Sequence, residues 1–472
     1  MEATLNFCAE LQGVPAGTTP AQLKPIHEAL TKQGDALQEV GRVFSQTAGR
    51  DGGVAAANSP LIAAAITHTK LASLGSLHLL SAQAEVLTPR EVPAFIDVTL
   101  AFLEHCDWQQ VTIAPKHLGT VCEKLRQVCI SEGRTLEALA PLRSAASKMA
   151  QDTLSLTPIH PEFTQCCIAA KCYSLGARFM DDQPIFGVDP IATALTPVHF
   201  LRHFYYGGIA YIGVKEWEGA LDSFSMLITA PANALSSLVV EGYKKMLLVS
   251  LIAYGNAPAL PKYTSNAVTR HLKNHTSEYE ALATCCQAGD VEGLKAAALS
   301  GSEKFTKDGN MGLAKQAVNA LTKRKILQLT HTYITLPLSD ISAKVGLADP
   351  DDAEGQILNM VEAGEICAQI TSPAGTVHFQ EDTHVFSSSS MTARLESDLQ
   401  STTELTERVR KLEARLMVNP AFVQKVRKTR PAHTVTFFST VVFGYWFNSV
   451  RSAAKNYDLI FTFGNLAWRL RC

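Results

Sequence analysis

Apolar residues recur three and four positions apart in segment after segment between residues 20 and 325, and each segment ends near Gly or Pro. This spacing gathers apolar side chains on one face of a helix, while Gly and Pro end each helix after an ordinary length. Strand-type alternation is scarce in the same region. Consecutive helices of similar length bury their apolar faces against one another, so we predict a mostly α fold that begins as a stack of helical repeats.

One segment carries the spacing of a tetratricopeptide helical hairpin. The residues that match it are Phe204, Gly208, Tyr211, Ala220, Phe224 and Pro231. Small residues in such a hairpin let two helices approach, and the aromatic rings fill the space between them. The alternative is an ordinary antiparallel helix pair, but the helices on either side are also consecutive and of similar length. We therefore predict a right-handed, tetratricopeptide-like solenoid.

Beyond residue 325 the order of elements is that of a winged helix. The stretch ILQLTHTYITLP ends in a short β-prone run, and a first helix ends at Gly346. A second helix opens at Asp349 and Pro350 and ends at Gly364. Two strands joined by a turn follow, and their alternating apolar residues are Ile366, Ala368, Ile370, Val377 and Phe379. The solenoid is therefore predicted to lead into a winged-helix subdomain.

The charge of this subdomain argues against DNA binding. Seven acidic residues and one lysine lie between residues 326 and 379. Asp351 and Asp352 open the helix that would enter the major groove; they suit the positive end of the helix dipole but repel phosphates. The whole chain has a formal net charge of -2, so it offers no general attraction for polyanions. We predict no nucleic-acid partner and keep a nucleic-acid adaptor as an alternative.

Two surfaces are predicted to bind protein partners instead. The first is the small sheet of the winged helix, through its exposed edges and the five alternating residues from Ile366 to Phe379. The second is a terminal helix at residues 391–420, where apolar residues are spaced four, three and four apart. These residues are Leu405, Val409, Leu412 and Leu416. The preceding seam positions, Asp398 and Thr402, are polar, which favours a helix bundle over a long coiled coil. A solvated amphipathic tail is the alternative.

No residue pattern predicts catalysis. His199 and His203 stand four apart, but Phe200 follows the first histidine where a zinc hydrolase needs Glu, so we interpret them as a satisfied structural pair. Phosphate-binding and nucleophile-elbow glycine motifs are missing. The paired cysteines, Cys166, Cys167, Cys285 and Cys286, lie in apolar helical sequence and are predicted to be core residues. We predict no catalytic, cofactor-binding or metal-binding residue.

The 11 cysteines favour a reducing compartment. They are an odd number without any C-x-x-C pair, which is typical of reduced thiols in the cytoplasm or nucleus. The N-terminus shows no basic segment followed by a long apolar run, so we expect no secretory signal. Cytoplasm and nucleus are the predicted locations.

Several segments resemble one family. They are YYGGIAYIGVKEWEGAL, EGYKKMLLVSLIAYG, LPKYTS, FTKDGNMGLAKQ, MVEAGEICAQI and VNPAFVQK. They are similar to the family of COP-9 signalosome third subunits, within the PCI-domain proteins that also build the proteasome lid and translation initiation factor three. The resemblance is strong from about residue 155 to 425, looser in the N-terminal part, and ends at about 427. The lid and the initiation factor are the alternative assemblies.

The resemblance implies a non-catalytic scaffold subunit of a complex that removes a ubiquitin-like modifier from cullin-RING ubiquitin ligases. The expected partners are other PCI-type subunits and the metalloprotease-domain subunits, while the ligases would be reached indirectly through the complex. Winged helices of neighbouring subunits would associate into an arc through the sheet. The terminal helices would gather into a bundle through the seam from Leu405 to Leu416.

The end of the chain departs from the family pattern. Residues 431–450 lack Lys, Arg, Asp and Glu and are long enough to raise a membrane anchor as an alternative. Pro431, His433 and Asn448 interrupt the apolar run. We interpret residues 427–472 as sequence foreign to the family, such as intron read-through or a shifted frame, and predict no membrane partner.

These inferences divide the chain into five predicted parts. They are N-terminal helical repeats at 1–190, the helical-repeat part of a PCI domain at 191–325, its winged helix at 326–385, a C-terminal bundle helix at 391–420 and the atypical tail at 427–472.

Overall fold

The computed structural model describes residues 20–48, 73–150, 155–185, 187–347, 349–371, 375–380 and 389–420, with Phe422 and Gln424. Residues up to Gln380 form one compact unit, and residues 381–472 form another. In the described part of the first unit, helices predominate and the strands form one small sheet. The predicted turn at residues 372–374 and the tail from residue 425 lie outside the described residues.

The N-terminal helices pack around a first core. In chain order they are α1 (Pro20–Ala48), α2 (Ser73–Val86), α3 (Val92–His105), α4 (Trp108–Val111), α5 (Pro115–Glu132), α6 (Thr135–Met149), α7 (Ile159–Ala169) and α8 (Tyr173–Asp182). Phe95 and Phe102, two turns apart on α3, are both fully buried there. Phe163 and Phe179 close the same core from α7 and α8.

A second core continues the stack. After the short helix α9 (Pro190–Thr193), the helices of this core are α10 (Pro197–Val214), α11 (Trp217–Thr229), α12 (Ser237–Ala253), α13 (Asn266–His275), α14 (Ser277–Ala288), α15 (Val291–Ser300), α16 (Ser302–Lys307) and α17 (Met311–Thr332). The predicted hairpin is the pair α10 and α11. A Cβ on Gly208 would lie 2.6 Å from Cε1 of Phe224, so only glycine lets that ring pack against α10. Ala220 and Phe224 are both fully buried. The tetratricopeptide-like packing is confirmed.

Helix α17 joins the solenoid to the winged helix without a break. Its first part, with Ala317 and Leu321, packs into the second core, while Ile326 belongs to a third core. The predicted domain boundary at residues 325 and 326 therefore falls inside one continuous helix. At this boundary α17 passes from the second core to the third, because its successive turns face different neighbours.

The third core is that of a winged helix, as predicted. Its elements are β1 (Thr335–Pro337), α18 (Leu338–Val345), α19 (Pro350–Glu362), β2 (Cys367–Thr371) and β3 (Thr376–Gln380). Gly346 ends α18 in the left-handed region at φ 83°, and Asp349 precedes α19 with Pro350 in its first turn. The sheet is antiparallel in the order β1-β3-β2, so β3 is central.

The second unit contributes one described helix, α20 (Ser389–Val418). The predicted bounds, 391–420, differ from it by two residues at each end, which is within the usual fraying of helix termini. Among the described helices, none is both long and apolar enough to cross a membrane. The apolar run at residues 431–450 lies outside the described residues.

Candidate protein-docking surfaces

The five residues predicted to bind a partner lie in β2 and β3, with Ile366 just before β2, and their side chains face the core. Val377 is fully buried, and Phe379 and Ile366 are nearly so; Ala368 and Ile370 are half-buried against the same core. Ala368 stands opposite Phe379, and Ile370 opposite Val377, so these pairs share one face of the sheet. Strand alternation directs these side chains inward, and their contact with a partner stays a prediction.

The edge strand β2 carries exposed residues on the outward face of the sheet. Cys367, Gln369 and Thr371 alternate with the inward residues and are exposed. One side of β2 pairs with β3, while its other side has no strand partner within the described residues. An unpaired edge offers backbone N–H and C=O groups to an added strand. The candidate site is therefore the β2 edge; the alternation in the sequence could have identified its outward residues, but not its place at the edge of the sheet.

Helix α20 presents an apolar stripe to solvent. Leu405 is 55% exposed, Val409 39% and Leu416 43%, and Leu412 is half-buried. The spacing of four, three and four places them on one face. Leu395, 52% exposed, extends the same stripe toward the N-terminus and was missed because Asp398 and Thr402 interrupt the seam. Large apolar side chains this exposed in a regular stripe are typical of a helix that packs against a partner.

The acidic side chains of the winged helix lie on its surface. Asp351 and Asp352 are exposed in the first turn of α19, where the dipole favours carboxylates. Lys344, the lone lysine of the segment, lies with its Nζ 3.9 Å from the centre of the Tyr333 ring. This distribution of charge repels a phosphate backbone.

His199 and His203 have separate structural roles. His199 Nδ1 lies 3.1 Å from the backbone N of Thr196, which it caps at the start of α10. His203 is buried, and neither of its ring nitrogens has a hydrogen-bond partner among the described residues. Burial, followed by the proximity of His160, lowers the pKa of His203 far below its usual range. The predicted satisfied pair is therefore wrong for His203, which is buried as an unsatisfied neutral ring.

The paired cysteines are core residues, as predicted, with one only half-buried. Cys166, Cys167 and Cys286 are buried, and Cys285 packs against the second core from its margin. Burial raises the pKa of Cys166 and Cys286, and it raises the pKa of Cys167 to about 12. A thiol in this state is a poor nucleophile because little thiolate forms. In the described part of the chain, no group of three or more His, Cys, Asp or Glu residues is arranged to hold a metal ion.

Comparison with known proteins gives two family matches and close relatives. Residues 57–268 match the family described as COP9 signalosome complex subunit 3, N-terminal helical repeats, and residues 294–381 match the PCI domain. The COP9 signalosome complex subunit 3 of Arabidopsis thaliana is 35% identical over 364 residues, which cover 76% of this chain and 82% of the relative. That of Dictyostelium discoideum is 32% identical over 356 residues, 75% of this chain and 84% of the relative.

Proposed function

The chain belongs to the COP9 signalosome subunit 3 family, and from that premise we propose that it is a non-catalytic scaffold subunit of the signalosome. In this role it supports assembly of the complex that deneddylates cullin-RING ubiquitin ligases and so regulates ubiquitin-dependent protein degradation. The proposal rests on the helical repeats followed by a PCI domain, and on the two docking surfaces described above.

The apolar stripe of α20 is the observation that carries this proposal. Leaving Leu405, Val409 and Leu416 about half exposed costs free energy that burial against partner helices would recover. The β2 edge supplies a second contact through backbone hydrogen bonds. Other PCI-type subunits and the metalloprotease-domain subunits are the proposed partners, with the ligases reached through the complex. The proposed locations are cytoplasm and nucleus, without a nucleic-acid or membrane partner.

Cys367 gives a direct test of the β2 edge. Its thiol is exposed on this strand, so it should react readily with a maleimide in the isolated chain. On assembly with the other subunits, its labelling rate should fall about tenfold because a docked neighbour covers the thiol. Mass spectrometry of the digested chain measures the extent of maleimide labelling at each cysteine separately.

The matched control moves the exposed thiol to another surface. A chain with Cys367→Ser and Met226→Cys carries a reactive thiol on α11, where Met226 is exposed in the native chain. Its labelling should be the same before and after assembly. Equal labelling of Cys367 in the free and assembled states would exclude the β2 edge as an interface.

The cysteine substitutions Cys166→Ala and Cys285→Ala should leave deneddylation by the assembled complex intact. Neither thiol is placed to act as a nucleophile, so the expected cost is only in packing, at most about 1 kcal/mol of unfolding free energy. The measurement is the rate of modifier removal from a neddylated cullin at equal concentrations of complex. A large loss of rate without loss of assembly would reveal chemistry in this subunit.

A further inference from the structure

Three consecutive basic residues lie where α17 passes from the second core to the third. They are Lys323, Arg324 and Lys325, and all are half-buried. Successive residues of a helix point about 100° apart, so three in a row reach across more than half of its circumference. The polar contacts of these side chains end on both the helical repeats and the winged helix.

Arg324 reaches back to the helical repeats. Its Nη2 donates to the carbonyl oxygen of Ile252 at 3.1 Å, and its Nη1 to that of Leu251 at 3.5 Å. Both carbonyls belong to the last turn of α12, and that of Leu251 also accepts backbone hydrogen bonds from Tyr254 and Gly255. The negative end of the helix dipole also favours a cation at this position. Arg324 therefore ties α17 to the C-terminus of α12.

Lys325 and Lys323 reach forward to the winged helix. Lys325 Nζ donates to the carbonyl oxygen of Val345, the last residue of α18, at 3.3 Å. Lys323 Nζ lies 2.7 Å from Oε1 of Glu365, which connects α19 to β2. The two lysines thus contact the C-terminal end of α18 and a residue beyond the end of α19. Three adjacent residues of α17 therefore contact both the helical repeats and the winged helix.

Gly255 makes the contact of Arg324 possible. It follows α12 in the left-handed region at φ 75°, and a Cβ at this position would lie 2.1 Å from Nη1 of Arg324. Any larger residue must displace the guanidinium. Gly309 is a matched position: its φ is 69°, and a Cβ there would meet nothing within 4 Å.

From these contacts we infer that Lys323, Arg324 and Lys325 form a joint that fixes the orientation of the winged helix on the helical repeats and so positions the β2 edge for a neighbouring subunit. This inference rests on the proposed scaffold function only for its last step. The joint itself is a property of the isolated chain.

The test compares Gly255→Ala with Gly309→Ala in the full chain. Both substitutions place a Cβ at a positive φ, so they strain the backbone alike, but only Gly255→Ala displaces the guanidinium of Arg324. Spin labels on Cys367 and on Met226→Cys report the distance between β2 and α11 by pulsed electron paramagnetic resonance. The other cysteines that are half-buried or outside the described residues are replaced by alanine: Cys8, Cys172, Cys285 and Cys472. Arg324→Gln serves as a second variant that adds no strain.

Gly255→Ala and Arg324→Gln should broaden the distance distribution, while Gly309→Ala should leave it as narrow as in the native chain. Incorporation of the first two variants into the complex should fall about fivefold, because a partner must select the competent orientation from a wider population. If Gly255→Ala and Arg324→Gln leave the distance distribution unchanged, the three residues do not form a joint, and this conclusion is independent of any partner subunit. Broadened distributions with native incorporation would overturn its positioning role. Failure of the native chain to enter the complex would instead refute the scaffold function.

Discussion

Charged substitutions along α20 are expected to release the chain from its complex while the helical repeats stay folded. The triple variant Leu405→Glu, Val409→Glu and Leu412→Glu replaces three seam residues with carboxylates. Burial of each such apolar side chain in an interface contributes about 1.5 to 3 kcal/mol, and an unpaired buried carboxylate adds a further penalty. Incorporation should therefore fall by at least about 100-fold. Size-exclusion chromatography of reconstituted complex measures the bound fraction, and circular dichroism checks the fold.

The control adds the same charge to the other faces of α20. Gln400, Thr403 and Ala414 are exposed and lie off the seam, so replacing each of them with Glu should leave incorporation close to that of the native chain. Equal incorporation of the seam variant and this control would remove the helix-bundle hypothesis.

The substitution Phe224→Ala is expected to lower the free energy of unfolding by about 3 to 5 kcal/mol. Phe224 is fully buried and fills the space that Gly208 leaves between α10 and α11. Removing the ring opens a cavity that the rigid helix pair cannot close. Denaturation followed by circular dichroism measures the loss. Met226→Ala on the exposed side of the same helix should change the unfolding free energy by less than about 0.5 kcal/mol.

A double-mutant cycle tests the contact itself. Gly208→Ala should destabilise the native chain because its new Cβ would lie 2.6 Å from the Phe224 ring. In the Phe224→Ala background the same methyl group enters the vacated space, so its cost should largely disappear. Additive costs in the two backgrounds would show that Gly208 and Phe224 do not pack as the hairpin requires.

The sequence predicted best those features that depend on neighbouring residues. Gly346 ends α18 and Asp349 precedes α19 because the helix-ending and helix-starting preferences of these residues are local. The hairpin of α10 and α11 was predictable because the small residue Gly208 and the ring of Phe224 occur at a recognisable spacing. The exposed stripe of α20 follows equally from the spacing of its apolar residues.

Features that depend on distant parts of the chain were not predictable in this way. The order of the sheet places β3, with Val377 and Phe379, in its centre, and strand pairing between separated segments decides that order. The unsatisfied ring of His203 depends on which groups other helices bring near it. The joint at Arg324 requires the end of α12, which lies some seventy residues earlier in the chain.

Purification of a tagged copy of the full chain from cells tests the scaffold function most directly. The chain should co-purify with other PCI-type subunits and a metalloprotease-domain subunit of the signalosome, and the eluate should remove the modifier from a neddylated cullin. Because this chain is proposed to lack the catalytic site, that activity should disappear when the metalloprotease subunit is inactivated. Co-purification with proteasome-lid or initiation-factor subunits, or with no partner and no deneddylating activity, would contradict the proposed function.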